Sequence, residues 1–286
     1  MRNELLTGGV IALTICFGGL MLSANPNMKP APEKKTAPET KSVPETKKTD
    51  AKKAFGEAFE KRNKTKGYHF TGKRETSYVE MGMTIPAQFN GIKNNKDNLL
   101  YMTYQTSVMG SSKKYELYQK ADKKFARDIA SEERVEGKTH SPIMQGDRLM
   151  DTLEGYKFAK EEKLDERDHT VIEATIKLDG ANKLLSELPM PLPAEAKLTC
   201  DKSGFRIWID KKTSLISKMY FFVEVSAAMP GAETPEEGEE AAPKSGRKIA
   251  VDINLFDYDK DIEISVPDEV KEVLDASEES EEKEKE

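Results

Sequence analysis

Alternation of apolar and polar positions dominates residues 68–257. The segments 68–83, 86–92, 98–108, 114–121, 123–128, 156–164, 170–178, 196–200, 205–210, 215–225 and 248–257 combine period-two alternation with β-branched and aromatic residues. Short Gly, Asn and Asp turns separate many of them. The pattern is sharpest where Trp208-Ile209-Asp210 and Leu215 to Met219 flank Lys211-Lys212-Thr213-Ser214, a spacing that predicts a β-hairpin. Alternation also assigns faces. Leu215, Met219, Phe221, Val223 and Val225 point one way, while Ile216, Lys218, Tyr220, Phe222 and Glu224 point the other. Ile249, Val251, Ile253 and Leu255 form a second clean apolar face, and Ile172, Ala174, Ile176 and Leu178 a third. Together they predict one concave apolar layer.

Helical periodicity is sparser. It covers 51–65, where Phe55 and Phe59 share a face, then 145–153, 180–188 before Pro189, and a short capped helix over 268–274. Many consecutive strands and few helices predict an α+β fold, a twisted antiparallel sheet with helices covering one face. Gly72, Gly82 and Gly91 lie in or beside strands, where bulges or bends allow curvature.

The ends of the chain follow other rules. Residues 5–24 are an apolar run, preceded by Arg2 and followed by Asn25-Pro26, which reads as an export signal. Leu22-Ser23-Ala24 is an imperfect cleavage site, so 1–24 is either a signal peptide or an N-terminal membrane anchor. Cys16 within it is an apolar filler, since Ile15 spoils a lipoprotein cleavage box. Residues 31–48 repeat APEKKT, APETKS, VPETKK, and the whole of 25–53 reads as an extended Pro/Lys/Glu/Thr-rich disordered linker. Residues 227–246 read as a disordered acidic loop, and 276–286 as a disordered acidic tail. One folded domain over 54–275 remains.

Charge changes this picture little. The net charge of −6 belongs to the appendages and leaves the folded body close to neutral. A near-neutral, exported body gives no support to nucleic-acid binding. Candidate chemistry is equally thin. His69, His140 and His169 have no metal-ligand spacing, and no phosphate loop, nucleophile elbow or HExxH pattern occurs. Without residues 1–24, Cys200 is the sole cysteine, so no internal disulfide forms; a buried small hydrophobe is its expected role. Asp210 is expected to accept backbone hydrogen bonds in the hairpin turn, and Trp208 to pack on the sheet's other face or a rim. Met81, Met83, Met102 and Met109 are expected core residues. These readings point to no enzyme, no metal and no cofactor.

Three segments in order, Tyr118-Gln119-Lys120-Ala121-Asp122-Lys123-Lys124-Phe125, Trp208 through Leu215, and Asp257-Tyr258-Asp259-Lys260-Asp261-Ile262-Glu263-Ile264-Ser265-Val266-Pro267, resemble the LolA-like superfamily of lipoprotein carriers and LppX/LprG-type lipid-binding lipoproteins. The likeness spans roughly residues 55–275. It implies a strongly curved antiparallel β half-barrel covered by a few helices, with an apolar cavity for acyl chains between them. The candidate lining residues are Met102, Tyr104, Met219, Phe221, Val223 and Ile253. On this reading the protein is a non-enzymatic periplasmic or cell-envelope binding protein. Its partner is a lipid or an acylated lipoprotein, and an uncleaved N-terminal segment would hold it to the membrane. The alternative is an envelope sensor or scaffold with a packed core that binds another envelope protein. The tether, acidic loop and acidic tail depart from a simple diffusing carrier.

Overall fold

The computed structural model describes residues 45–108, 110–135, 141–186, 197–228, 245–260 and 262–276. The expected signal or anchor (1–24), most of the linker and acidic loop, His140, Met109 and the tail beyond 276 lie outside these residues.

Helix α1 (Glu45–Lys64) leads into five consecutive strands: β1 (Gly67–Tyr78), β2 (Met83–Asn94), β3 (Leu99–Val108), β4 (Ser111–Lys120) and β5 (Lys123–Asp128). A short helix α2 (Pro142–Arg148) follows, then β6 (Leu153–Phe158), β7 (Glu162–Leu164), β8 (Arg167–Ile176) and α3 (Leu178–Ser186). The chain continues through β9 (Lys197–Asp210), β10 (Ile216–Ala228), β11 (Ser245–Phe256) and α4 (Asp268–Asp275). All strands join one open eleven-stranded sheet in the order β5-β4-β3-β2-β1-β11-β10-β9-β8-β6, with β7 on β8. Every pairing is antiparallel. Two meanders are thus stitched together by β1 and β11, with residues 69–78 opposite 256–247. This is the curved, open α+β half-barrel that the sequence predicts.

Side-chain parity separates the faces as expected over most strands, whereas Leu178, the last of its expected series, opens α3 and is exposed. Phe70, Phe89, Met102, Phe205, Phe221, Val251 and their neighbours build one continuous core. Helix α1 packs its Ala51, Phe55, Ala58 and Phe59 into it, Ile143 of α2 and Leu149 just after that helix add to it, and α3 adds Ala181, Leu184 and Leu185. Helix α4 does something the pattern did not anticipate. Its buried Val270 and Leu274 join Leu99, Tyr118 and Phe125, which have the opposite parity to core residues Leu100 and Leu117. The helices therefore cover both faces, and the β3–β5 corner is buried on each side. The reason is visible in β4 and β5, where Tyr118 and Phe125 give the outer face an apolar patch that needs a cover.

Other boundaries shift for local reasons. Helix α1 begins at Glu45, inside the segment read as linker; past Pro44 no proline or glycine interrupts the helix until Gly56. The expected strand 68–83 ends at Tyr78. A 3-10 turn over Val79–Met81 closes on Gly82, whose φ of 57° is left-handed, and returns the chain as β2. Met81 is consequently 49 % exposed rather than core. Pro86 sits in β2 opposite Glu75, but β3 pairs with β2 only from Ala87, so its missing N–H breaks no ladder bond to β3. Segments 196–200 and 205–210 are one strand, β9. At the acidic loop, β10 and β11 each run three residues further than expected, two of them inside the segment read as loop, because Ala227 extends the core-facing series Val223, Val225 and pairs with Ser245. Ile216 is buried in the core instead of facing outward, since a bulge between Ile216 and Lys218 shifts the register by one residue.

The β9–β10 hairpin rests on Asp210. Its side chain is 2 % exposed, and its Oδ1 accepts the backbone N–H groups of Lys212 (2.8 Å) and Thr213 (2.9 Å). Oδ2 accepts from Arg167 at 3.2 Å, and Ser214 takes a φ of 55° to finish the turn. Burial alone would raise the Asp210 pKa, but the Thr213 and Lys212 amides, the Thr213 hydroxyl and Arg167 outweigh it and hold the carboxyl below its usual range. Asp210→Ala is expected to cost about 2 kcal/mol in urea unfolding, because two turn amides lose a charged acceptor. The depressed pKa means this stabilisation is complete above about pH 4 and fades as pH falls through the lower folded value. Wild type and Asp210→Asn should therefore converge in melting temperature on acidification.

Candidate functional site

The six expected lining residues all fall on the core face, and none is more than 7 % exposed. Register explains how they meet. Met219 of β10 opposes Ile253 of β11, which opposes Gly72 of β1, then Phe89 of β2 and Tyr104 of β3. Met219, Ile253 and Tyr104 thus lie in one row across five strands. Phe221 and Val223 stand in the following rows of β10, and Met102 one row from Tyr104 on β3. Two glycines make the centre of this surface possible. Gly72 faces Phe89 and Gly91 faces Phe70, and a Cβ would approach those rings to 2.5 and 2.6 Å respectively. Each phenylalanine folds over its own cross-strand glycine, so the two pairs form an aromatic cover over the β1–β2 seam.

Helix α1 supplies the opposing wall. Phe55 and Phe59 stack at 5.0 Å, Phe55 meets Phe205 edge-on at 5.8 Å, and Phe205 stacks on Phe221 at 5.6 Å. One turn beyond Phe59 the same helical face carries Arg62, only 1 % exposed. Its guanidinium lies 4.7 Å over the Phe59 ring, donates to Asp147 of α2 at 2.7 Å, and reaches Met219 Sδ at 3.9 Å. Burial opposes its charge, yet Tyr68 and Asp147 outweigh burial and keep it protonated. Burial likewise pushes the Tyr68 phenol up. A second cation, Lys93 of β2, is 6 % exposed and donates to Asn98 Oδ1 at 2.6 Å. Burial lowers its pKa to about 8; Asp147 offsets this in part, and Arg62 adds to the lowering. Arg62 is thus ion-paired to Asp147, and the same carboxylate acts on the second buried cation, Lys93, through space, at the end of the layer where α1, α2, β1 and β2 converge.

Sequence reasoning found the apolar residues and missed this polar node. A signal did exist, because Phe55, Phe59 and Arg62 continue one helical face at spacings of four and three.

Elsewhere the chemistry is structural. His169 is buried; its Nδ1 lies 2.9 Å from the Arg167 carbonyl and its Nε2 2.9 Å from Ser217 Oγ, in the β10 bulge. The carbonyl fixes Nδ1 as the donor, so the Ser217 hydroxyl donates to Nε2. No carboxylate bonds to this imidazole among the described residues, and the pair locks a bulge. His69 lies 3.8 Å from Asp257. Among the described residues no group of three potential ligands is arranged to hold a metal ion, and no helix is long and apolar enough to cross a membrane. Cys200 is partly buried against the core. Trp208 lies on the outer face, donating from Nε1 to Glu162 at 2.8 Å between Arg206 and Lys218.

Two grooves, of about 490 and about 320 Å³, cross the sheet's outer face, opposite the candidate lining residues. The larger spans β10, β11 and β1 to β4 and is lined mainly by amides, hydroxyls and lysines.

No protein-family profile matches the sequence, and no curated protein does. Solved structures similar in fold include the lipoprotein LppX of Mycobacterium tuberculosis, at 9% sequence identity with 76% of this chain and 99% of that chain covered and a TM-score of 0.44. LprF of Mycobacterium bovis is similar at 10% identity, 77% and 97% coverage and a TM-score of 0.43. A LolA superfamily protein of Nitrosomonas europaea is similar at 11% identity, 77% and 96% coverage and a TM-score of 0.28.

Lys93 offers a direct test of the polar node. A lysine whose folded pKa is below its unfolded value destabilises the fold wherever it must be charged. Lys93→Met should therefore raise the melting temperature at pH 7. Wild-type stability should recover as pH rises from about 8 toward the unfolded lysine value near ~10.4, closing the gap. A gap that stays constant over this range would show that Lys93 is not the group responsible.

Proposed function

We propose that this chain is an extracytoplasmic, non-enzymatic binding protein that takes lipid acyl chains, free or on a lipoprotein, between the sheet's core face and helices α1 to α3. The observation that carries the reading is the apolar layer itself, which runs without a break from Met102 on β3 to Ile172 on β8. Opposite it stand helices of which only α1 exceeds nine residues. A cover so slight, joined to its neighbour through the Arg62–Asp147 ion pair, can lift without unravelling the sheet. Acyl chains would then replace helix side chains against Met219, Phe221, Val223 and Ile253, with Met102 and Tyr104 farther along the layer. Each buried methylene contributes about 0.8 kcal/mol before ordering costs, and methionines adapt to chains of varied shape. The export-signal pattern of residues 1–26 supports a place outside the cytoplasm, and the 25–44 stretch supports a spacer from a membrane.

A second reading has its own observation. All six candidate lining residues are closed off in this structure, which fits a packed envelope module that binds a protein partner.

Native mass spectrometry of protein purified from its own envelope should show bound acyl-chain mass, and the delipidated protein should bind a fluorescent fatty acid saturably. Met219→Trp, which fills the layer beneath α1, should weaken that binding at least about tenfold. Asp147→Asn should speed uptake by loosening the helix joint. A protein that carries no lipid and binds no fatty acid, yet captures a partner through residues 229–244, would establish the packed module instead.

A further inference from the structure

The outer face carries a second pattern, independent of the apolar layer. Register places Asp252, Lys73, Gln88, Gln105 and Lys114 opposite one another on β11, β1, β2, β3 and β4. Two residues along the same strands, Lys218, Asn254, Thr71, Asn90 and Thr103 form a parallel row that starts on β10. These two rows line the groove of about 490 Å³. At one strand spacing of about 4.8 Å per step, it runs roughly 24 Å at right angles to the strands.

Its groups are only partly used. Lys218 pairs with Asp252 Oδ2 at 3.0 Å, Thr103 donates to Asn90 Oδ1 at 3.1 Å, and Gln105 Nε2 donates to Ser112 at 3.1 Å. Asp252 Oδ1 is buried and has no hydrogen-bond partner, so it is not offered to a ligand. Among the described residues, the ammonium groups of Lys73 and Lys114 meet no carboxylate and the Gln88 side chain has no partner. The surface thus offers neutral groups that both donate and accept, and two unpaired cations.

We propose that this groove binds an acidic oligosaccharide, a linear carboxylate-bearing glycan lying across the strands. A pyranose ring is about as long as one strand spacing, so successive sugars meet successive rungs. Vicinal hydroxyls donate and accept as the Asn, Gln and Thr side chains do, and the sugar carboxylates pair with Lys73 and Lys114. Charge complementarity alone would also admit an acidic peptide, including this chain's own 277–286. The lining argues against that, because the six amide and hydroxyl side chains of Thr71, Gln88, Asn90, Thr103, Gln105 and Asn254 match a chain of hydroxyls, whereas a run of glutamates would set carboxylates against them. Binding here involves no residue of the core face, so the proposal goes beyond the acyl-chain reading.

The test titrates the full chain calorimetrically with a galacturonic acid oligomer, a neutral glucose oligomer of equal length and a polyglutamate peptide. Saturable binding of the acidic glycan is expected, tighter than either control and unchanged when the protein is first saturated with fatty acid. Lys73→Gln with Lys114→Gln should weaken it roughly tenfold, the loss of two exposed ion pairs. Asn90→Ala with Asn254→Ala should weaken both sugars. All four side chains are exposed, so melting temperatures should stay put. No saturable binding, indifference to both double variants, equal binding of the neutral oligomer, or equal binding of polyglutamate would each overturn the proposal.

Discussion

The pairing of β1 with β11 is the constraint on which the rest depends. It joins strands from opposite ends of the folded body, so nearly the whole domain is the loop it closes. The entropy of that closure is recovered only when residues 69–78 and 247–256 are in register. A slip of one residue would turn Phe70 and Gly72 outward and bring Thr71 and Lys73 against the core. Both the apolar layer and the outer groove cross this seam. The row from Met219 to Tyr104 passes through Ile253 and Gly72 on one face, and the row from Asp252 to Lys114 passes through Lys73 on the other. One set of backbone hydrogen bonds therefore aligns an apolar layer and a polar groove at once. Such a long-range pairing also predisposes the fold to slow formation, after the local hairpins of each meander.

Period-two alternation made much of this legible. Ile249, Val251, Ile253 and Leu255 read directly as a core-facing series, and the turn role of Asp210 followed from its place before Lys211-Lys212. What escaped were features set by backbone geometry or by a distant partner. Ile216 reverses its face because one extra residue bulges at Ser217, and no local composition announces that. The turn at Gly82 was hidden by apolar Val79 and Met81, which look like strand residues and are exposed. The outward position of α4 could be seen only once Leu99, Tyr118 and Phe125 were known to lie together. Arg62 was overlooked because a charge on an apolar helical face ordinarily ends that face, whereas here Asp147 of another helix receives it.

The Arg62, Asp147 and Lys93 node sits oddly in an otherwise apolar layer. Burying two cations against one partly exposed carboxylate costs more than apolar residues of similar volume would. Its return is in specificity of placement. Hydrophobic contacts from α1 to β6 and β10 would tolerate sliding, but a guanidinium tied to Asp147 and laid on Phe59 admits one position of α1 relative to α2. The cover is thus defined by a polar joint and the floor by apolar rows, so the two can separate without losing their own order.

The two ends of the sheet have a consequence of another kind. β5, Lys123–Asp128, is six residues long with four charges, and α4 packs across its outer side. At the other end β6 is interrupted by a register break and β7 has only three residues. Neither margin offers a long, flat row of unpaired amides to another chain. A half-barrel left open along its length would otherwise invite copies to add strand to strand. With both margins blunted, molecules crowded together have no template for edge-to-edge polymerisation, and the opening is left for something other than more sheet.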